Sequence, residues 1–327
     1  MMKLLKNCLP VLACLQASAE YVTGDRCVAN EIDGIVYTCQ IDSYGAALRR
    51  VELAKSSSFT DGRDVLIPQT IGGSRVRVIA DKAFSSLPWL RSVTVRGSIT
   101  QIKNEAFASC SNLVSVTVER DDNRIGLRGI GCFAFRDCVS LADVSLTNTF
   151  SLATIGRGAF EGCKSLKRMQ LPSGCYHLDV FAFAGCENLL EVELPATMEE
   201  VCGAAFVGCN RLREIKTAPG GNYVFESGIL YDKAKKKVIR CLIGSEGESV
   251  RIEDGVTEIM DNAFSGCKHL RYVSLPSSLR RIEDFAFWDS GLKEVVLPKG
   301  LEYVGRAAFA RTEVELEDCW KWAKDDL

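Results

Sequence analysis

Histidine is almost missing from this chain: His177 and His269 are the only two in 327 residues. They stand at non-equivalent positions with no serine or cysteine at a spacing used for nucleophilic catalysis, so both are expected at the surface. No H-E-x-x-H, G-x-S-x-G, phosphate-binding loop or calcium-loop pattern occurs, which removes the usual routes to a peptidase, hydrolase, nucleotide or calcium site. No two cysteines are spaced C-x-x-C, and no metal or other cofactor is expected. No stretch reaches the roughly 18 apolar residues that cross a bilayer as a helix. Charge of one sign is missing too. Forty basic residues against 42 acidic ones argue against nucleic-acid binding through a basic stripe and leave no polybasic membrane anchor.

What the chain has instead is a period. Nine phenylalanines, Phe84, Phe107, Phe135, Phe160, Phe183, Phe206, Phe264, Phe287 and Phe309, each follow an alanine at intervals of 23, 28, 25, 23, 23, 58, 23 and 22 residues. One unit runs Ile155, Ala159, Phe160, Cys163, Leu166, Met169, Leu171, Pro172; the next fills those slots with Leu178, Phe183, Cys186, Leu189, Val192, Leu194, Pro195. The end of the unit alternates with the strand period of two, which puts Val192 and Leu194 inward and Glu191 and Glu193 outward. A lone unit cannot bury its apolar side. Stacked in register, such units make a parallel sheet along one face and a continuous core behind it, with the phenylalanines as anchors.

The composite pattern I-x-x-x-A-F-x-x-C-x-x-L-x-x-I-x-L-P, recurring from Val76 to Thr312, resembles the BspA-type leucine-rich repeat of secreted and surface bacterial proteins. The long gap fits as well. Tyr223 to Tyr231, the basic run Asp232 to Lys237, and Val238 to Ile243 resemble the β-hairpin found between such repeats, with the basic run as its turn. The resemblance implies an α/β-type repeat solenoid: a leucine-rich repeat array over residues 76–312 with its parallel β-sheet on one face and a hairpin insertion at 218–256. Residues 20–75 carry short strand-like runs (Ile32 to Tyr37, Val51 to Leu53, Val65 to Pro68, Val76 to Ile79) between turn residues and are expected to form an N-terminal β cap. Residues 313–327, with Trp320 and Trp322, are expected to cover the other end.

Residues 1–19 read as a signal peptide: Lys3 and Lys6, the apolar run Cys8 to Leu15, then Ala17-Ser18-Ala19 as a small-residue cleavage site. A second reading uses Val11-Leu12-Ala13-Cys14 as a degenerate lipobox, with an N-terminal lipid anchor on Cys14. Either way the chain is expected to be exported, secreted or held at the bacterial cell surface.

Fifteen cysteines in an exported chain would ordinarily mean a disulfide framework. Position argues otherwise. Cys110, Cys138, Cys163, Cys186, Cys209 and Cys267 all lie three residues after an anchor phenylalanine, in a slot that Leu87, Ser290 and Thr312 fill elsewhere. Such a slot wants a small buried side chain, and free cysteine is one. Cys27, Cys39, Cys132, Cys175, Cys202, Cys241 and Cys319 lie outside the slot; whether Cys27 pairs with Cys39 is open at this stage.

With phenylalanine, cysteine, leucine and the inward strand residues assigned to the core, function falls to the outward strand positions. The early turns offer serine and threonine there. The later ones offer the candidate contact residues Arg168, Gln170, Glu191, Glu193, Glu214, Lys216, Tyr272 with its neighbour Arg271, and Glu294. Tyrosine and arginine are over-represented at binding hot spots, which singles out Tyr272. The sequence therefore points to a monomeric, non-catalytic protein that binds a protein or glycan, in keeping with the adhesion role the resemblance implies and with a host-derived partner. A structural module of the cell envelope without a soluble ligand is the second reading, and a hydrolase with a site assembled on the solenoid a distant third.

Overall fold

Each turn of the chain lays down three segments that pair with the same segments of the next turn: a strand from the L-x-x-L-x-L tail, a second strand just ahead of the Ala-Phe pair, and the Ala-Phe corner itself. The computed structural model describes residues 26–54, 62–119, 126–146, 149–242 and 247–314. The leader (residues 1–19 with Cys14), Cys319, Trp320 and Trp322 lie outside the described residues.

The tail strands form a parallel first ladder in three groups. Arg63–Leu66, Leu90–Val95, Ser115–Val118 and Asp143–Ser145 make one; Arg168–Gln170, Glu191–Leu194 and Glu214–Thr217 the next; Ser249–Arg251, Tyr272–Ser274 and Glu294–Val295 the last. Register follows the apolar alternation, with Val93 beside Val116, Met169 beside Val192 beside Ile215, and Val250 beside Val273. A slip of one residue would turn these buried side chains out to water, which is what pins the register.

The sequence led us to expect one parallel sheet; there are two ladders. The second runs through Ser74–Ile79, Gln101–Ile102, Gly129–Ile130, Thr154–Ile155, His177–Leu178 and Glu200–Val201. After the insertion it resumes through Lys237–Cys241, Glu258–Ile259, Arg281–Ile282 and Tyr303–Val304. Most of these strands are two residues long, so each offers a single inward side chain (Ile102, Ile130, Ile155, Leu178, Val201) and no alternation for a sequence reading to find.

The Ala-Phe corner corrects the α/β label. Residues two before the phenylalanine (Lys82, Glu105, Phe133, Phe181, Asn262, Phe285, Ala307) and two after it (Ser86, Ser109, Asp137, Asp289, Arg311, or glycine) have positive φ. An α-helix needs consecutive right-handed residues, so this alternation forbids one. Among the described residues the only helix is the 3-10 turn Gly203–Phe206. What the alternation achieves is a third ladder. Glu105, Phe107 and Ser109 donate their N–H groups to the carbonyls of Cys132, Ala134 and Arg136 in the next turn at 2.9, 2.7 and 2.7 Å, and the same pattern recurs along the array. All the corner donors therefore point toward the C-terminal end.

Behind the corners the rings stack. Phe84 to Phe206 form one column with centroids 4.7 to 5.9 Å apart, and Phe264, Phe287 and Phe309 a second at 4.7 and 5.1 Å. The cysteine slot has a use beyond size. The thiols of Cys110, Cys138, Cys163, Cys186 and Cys209 donate to the carbonyls of Phe84, Phe107, Phe135, Phe160 and Phe183, one turn back, at 2.9 to 3.2 Å. The pattern is confined to cysteine: the Ser290 hydroxyl finds no partner among the described residues and Thr312 donates to the Phe309 carbonyl of its own turn at 2.6 Å, while Leu87 occupies the slot in the first turn, where no earlier phenylalanine carbonyl exists. Among the described residues these thiols are free.

The insertion is itself a turn of the array. Tyr223–Glu226, Ile229–Asp232 and Lys237–Cys241 form an antiparallel meander, and the last of these continues the second ladder. The basic run is its turn: the Asp232 carboxylate accepts the N–H groups of Lys236 and Lys237 at 2.7 Å, and Lys237 pairs with Glu258 at 2.8 Å. Here Arg240-Cys241 stands where other turns have Ala-Phe. The Cys241 N–H donates to Ala263 at 2.7 Å, and the Cys267 thiol reaches the Cys241 carbonyl at 3.7 Å. Arg240 is buried, its guanidinium on the carbonyls of Asn262 and Ser265 at 2.7 and 3.1 Å. With no ring in this turn, the core divides into one cluster from Ile35 to Leu242 and another from Ile229 to Ala308, both drawing on the meander. Gly203 lies at the division; a Cβ there would sit 2.5 Å from the Asp261 carbonyl oxygen and 2.6 Å from that of Ile239.

At the other end, Arg26–Ile32, Ile35–Asp42 and Gly45–Leu53 form an antiparallel sheet whose third strand joins the second ladder through Ser74–Ile79. Cys27 faces Gln40 and Cys39 faces Val28 across the first hairpin. Side chains one register step apart leave opposite faces of a sheet, so the Cys27–Cys39 bridge does not form and Cys39 is a free, buried thiol.

Candidate binding surface

The three groups of the first ladder divide its outward face into three patches. In the first, Asp64 takes the Arg91 Nε–H at 3.0 Å and the Ser92 hydroxyl at 2.6 Å. These hydrogen bonds, the arginine's above all, pull its carboxyl down to about 2. This patch is internally neutralised.

The middle patch brings together six of the candidate contact residues. Arg168 and Gln170 are exposed, Glu191 and Glu193 half-buried, Glu214 and Lys216 exposed. Register sets Glu191 between Arg168 and Glu214, and Glu193 between Gln170 and Lys216. Lys216 reaches diagonally to Glu191 at 2.6 Å. That hydrogen bond holds the Glu191 carboxyl below its ordinary value and the Lys216 ammonium above its own. Glu193 and Glu214 make no ion pair within the described residues, so the patch presents a net negative face.

The last patch holds Tyr272 and Glu294, which are adjacent in register. Between them, Ser274, Val296 and the Pro298-Lys299 loop opens a groove of about 740 Å³. Tyr272 is 46% exposed and Val296 86% exposed, an apolar pair on a face that is polar at most other positions. Arg271 is separate from this group: half-buried, it donates to the Gly291 carbonyl at 3.0 Å and braces the turn below. Sequence reasoning missed Ser249 and Arg251, which extend this patch by a strand beside Tyr272 and Ser274. The signal was the alternation Val250, Ile252, obscured because no phenylalanine precedes it at the usual offset.

A second missed surface is the outward column of the second ladder. His177 pairs with Glu200 at 3.0 Å, Lys237 with Glu258 at 2.8 Å, and the Arg281 guanidinium lies 4.3 Å from the Tyr303 ring centre. His269 is exposed beside Cys267, far in sequence from any of these. Asp261 has a carboxyl raised by burial and then by Asp284, and it lies at a corner, outside the groove. Among the described residues no three His, Cys, Asp or Glu side chains gather as metal ligands, and no helix is long and apolar enough to cross a membrane. The first-ladder face thus carries an aromatic in a groove at one end and carboxylates along the middle.

Several solved proteins that resemble this one are leucine-rich repeat proteins. Residues 63–128, 124–235 and 240–318 match the model of the BspA type leucine-rich repeat region, in six copies. The solved leucine-rich repeat protein of T. pallidum is 26% identical, over 74% of this chain and 90% of its own, with a TM-score of 0.51. Two others share the fold at lower identity. The pneumococcal vaccine antigen PcpA is 19% identical over 85% of this chain and 77% of its own, TM-score 0.56. A leucine-rich cell surface protein of Faecalibacterium prausnitzii is 22% identical over 87% and 77%, TM-score 0.54. No curated protein matches the sequence closely enough to count as a relative. Turn length, the Ala-Phe corner, the parallel ladders and the matched repeats agree, and the chain belongs to the BspA type leucine-rich repeat family.

Proposed function

We propose that this is an exported, cell-surface or secreted bacterial recognition protein that binds a protein or glycan through the first-ladder face, with the Tyr272 groove as its anchor. The observation that carries the reading is the groove itself. A sheet face with no partner is best served by polar side chains, yet Tyr272 and Val296 are exposed side by side around a cavity of drug-to-peptide size. Carboxylates at Glu193, Glu214 and Glu294 would give such a partner its orientation, since charge complementarity contributes more to specificity than to affinity. The leader and the surface or antigen descriptions of proteins sharing the fold support placement outside the cell. A neutral overall balance and the absence of nucleophile and base constellations favour binding over chemistry.

The test is an array of matrix proteins and glycans probed with the chain lacking residues 1–19. Saturable binding weakened roughly tenfold or more by Tyr272→Ala, the loss expected for a hot-spot aromatic, supports the reading. Glu193→Lys should shift partner preference and salt dependence more than affinity. Binding that ignores both substitutions places recognition elsewhere, and no binder at all favours the envelope-module reading.

A further inference from the structure

The second ladder presents two columns of side chains to solvent, from the two residues ahead of each inward Ile, Leu or Val. In the first column, Thr100 donates its N–H to the Arg77 carbonyl, Arg128 to Thr100, Ala153 to Arg128, Tyr176 to Ala153 and Glu199 to Tyr176, at 2.7 to 2.9 Å. The second column runs beside it through Val78, Gln101, Gly129, Thr154, His177 and Glu200. Charge sorts along these columns. From Arg77 to Ala153, and from Val78 to Thr154, neither holds a carboxylate. Arg77 and Arg128 stand there, with Arg75 on the same side of its strand as Arg77 and Arg49 on the adjoining strand Gly45–Leu53. Among the described residues none of the four arginines is in an ion pair; Arg49 donates to the neutral amide oxygen of Gln40. The Asp42 carboxylate at the neighbouring hairpin is taken up by the N–H groups of Tyr44 and Gly45 at 2.7 and 3.1 Å. Further along the same columns cations do have partners: Lys237 with Glu258, Arg281 with Glu283 and Arg280 with Glu302. The basic stretch ends at Tyr176, because Glu199 and Glu200 follow and Glu200 pairs with His177 at 3.0 Å.

The relief of the face matches its charge. Thr100 ties its hydroxyl down to the Arg77 carbonyl at 3.1 Å, and Ala153 ends at its Cβ. Large and small side chains therefore alternate in the first column, so Arg77, Arg128 and Tyr176 recur at every second turn, on backbones roughly 10 Å apart. Tyr176 is 44% exposed. A ligand lying along this trough needs a negative charge at every second turn, hydroxyls for Gln101 and Thr154, and a flat apolar face for the tyrosine ring. A polysaccharide with a carboxylate on alternate sugars has all three. Its charge recurs once per disaccharide, a length close to two turns of the ladder, and the C–H face of a pyranose packs on an aromatic ring. The planar guanidinium fork suits a carboxylate, which it can hold with two hydrogen bonds. A nucleic-acid strand fits less well, since it wants a ring for successive bases, and the column offers one in the five turns from Arg77 to Tyr176.

We propose that the second-ladder face from Arg49 to Tyr176 is a second binding site, separate from the Tyr272 groove, for a polysaccharide carrying a carboxylate on alternate sugars. Arg77 and Arg128 hold successive carboxylates and Tyr176 stacks on a sugar ring. Calorimetric titration of the full chain with a hyaluronan decasaccharide, whose carboxylates fall one per disaccharide, tests this. Saturable binding is expected, weakened at least about tenfold by Arg77→Ala with Arg128→Ala, the loss of two charge-assisted contacts. Arg128→Glu, at an exposed position where folding is least at risk, should lose as much, Tyr176→Ala severalfold, and Tyr272→Ala nothing. Melting temperatures close to that of the wild type show that the variants are folded. No binding of the decasaccharide overturns the proposal, as does binding that survives Arg128→Glu and the double substitution. Equal affinity for a DNA strand of the same charge, lost in the same variants, also overturns it, because the patch would then select charge and not sugar.

Discussion

Replacing Phe160 by alanine is the sharpest test of how the array is held. The ring is fully buried and lies between Phe135 at 5.2 Å and Phe183 at 5.4 Å. Withdrawing it forfeits about 2 to 3 kcal/mol of transfer free energy. At about 24 cal/mol per Å³, a residual hole on the order of 50 Å³ adds roughly 1 kcal/mol more. Two ring contacts, each worth roughly 0.5 to 1.5 kcal/mol beyond area, bring the expected loss to about 4 to 7 kcal/mol, at or above the upper end of the roughly 3 to 5 kcal/mol usual for such substitutions. The loss should also be local, because each turn touches only its neighbours. Native-state hydrogen exchange resolves both: amides of Phe135, Phe160 and Phe183 should lose several kcal/mol of protection, and those of Phe264 and Phe287, in the second core, far less. Phe160→Leu, which retains most of the volume, should cost no more than about 1.5 kcal/mol. A loss under about 1.5 kcal/mol for Phe160→Ala, or an equal loss in both cores, would refute the stacked-column account.

Gly203→Ala should destabilise by about 2 kcal/mol or more in chemical denaturation, since its Cβ would press on two backbone carbonyls that cannot give way cheaply; Gly73→Ala, with open space around it but φ of +80°, should cost only about 1 kcal/mol. The Cys39 and Cys209 thiols are pushed up to about 12, burial being the leading cause in each. An unfolded thiol ionises near 9 while these stay protonated, so their contribution to stability is complete below about pH 9 and is lost as pH rises toward 12; melting temperatures of the wild type and of Cys209→Ser across that window check it. In the folded chain at pH 8, Cys163 and Cys186, both raised by burial, should resist iodoacetamide until denaturant is added, read as a mass shift. Asp64, held at about 2 by Arg91 and Ser92, stabilises above pH 4 and loses that contribution as pH falls toward 2, a slope that Asp64→Asn should flatten in an acid titration.

The parts of the fold that were legible in the sequence are those in which one side chain type is demanded at one distance. The corner takes a ring in every turn but that of Arg240-Cys241 and the slot after it most often a cysteine, so Phe and Cys recur and can be counted. The first ladder shows an in-out alternation such as Glu191, Val192, Glu193, Leu194, long enough to read. The second ladder was hidden because two residues are too few for a period. The left-handed corner was hidden because its first position is mostly Lys82, Glu105, Phe133, Phe181, Phe285 or Ala307, residue types that carry no turn signal, and only Gly158 and Asn262 carry one. That corner, placed between two strands, is what rules out the helix that an α/β label supposes. The insertion was recognisable, but its role as a turn of the array was not, since Arg240-Cys241 replaces Ala-Phe and the Phe206 to Phe264 gap conceals a rung.

The candidate surface was legible only as a set of positions, because facing outward does not make a side chain available. Structural demand removes several from that set. Arg271 is spent bracing Gly291, and Glu191 and Lys216 satisfy each other. Among those that remain, Tyr272 stands out, with Val296 lining the same groove. Tyr272 has no side-chain hydrogen bond among the described residues, and 86% of Val296 meets water. Their counterparts in other turns are mostly polar, among them Ser92, Ser115, Arg168 and Glu191 for Tyr272 and Thr94, Thr117, Gln170 and Lys216 for Val296, with Leu66 the apolar exception. An exposed aromatic beside an exposed valine is a standing liability for aggregation. Under the proposed function, a partner bound at the mouth of the groove would cover this pair.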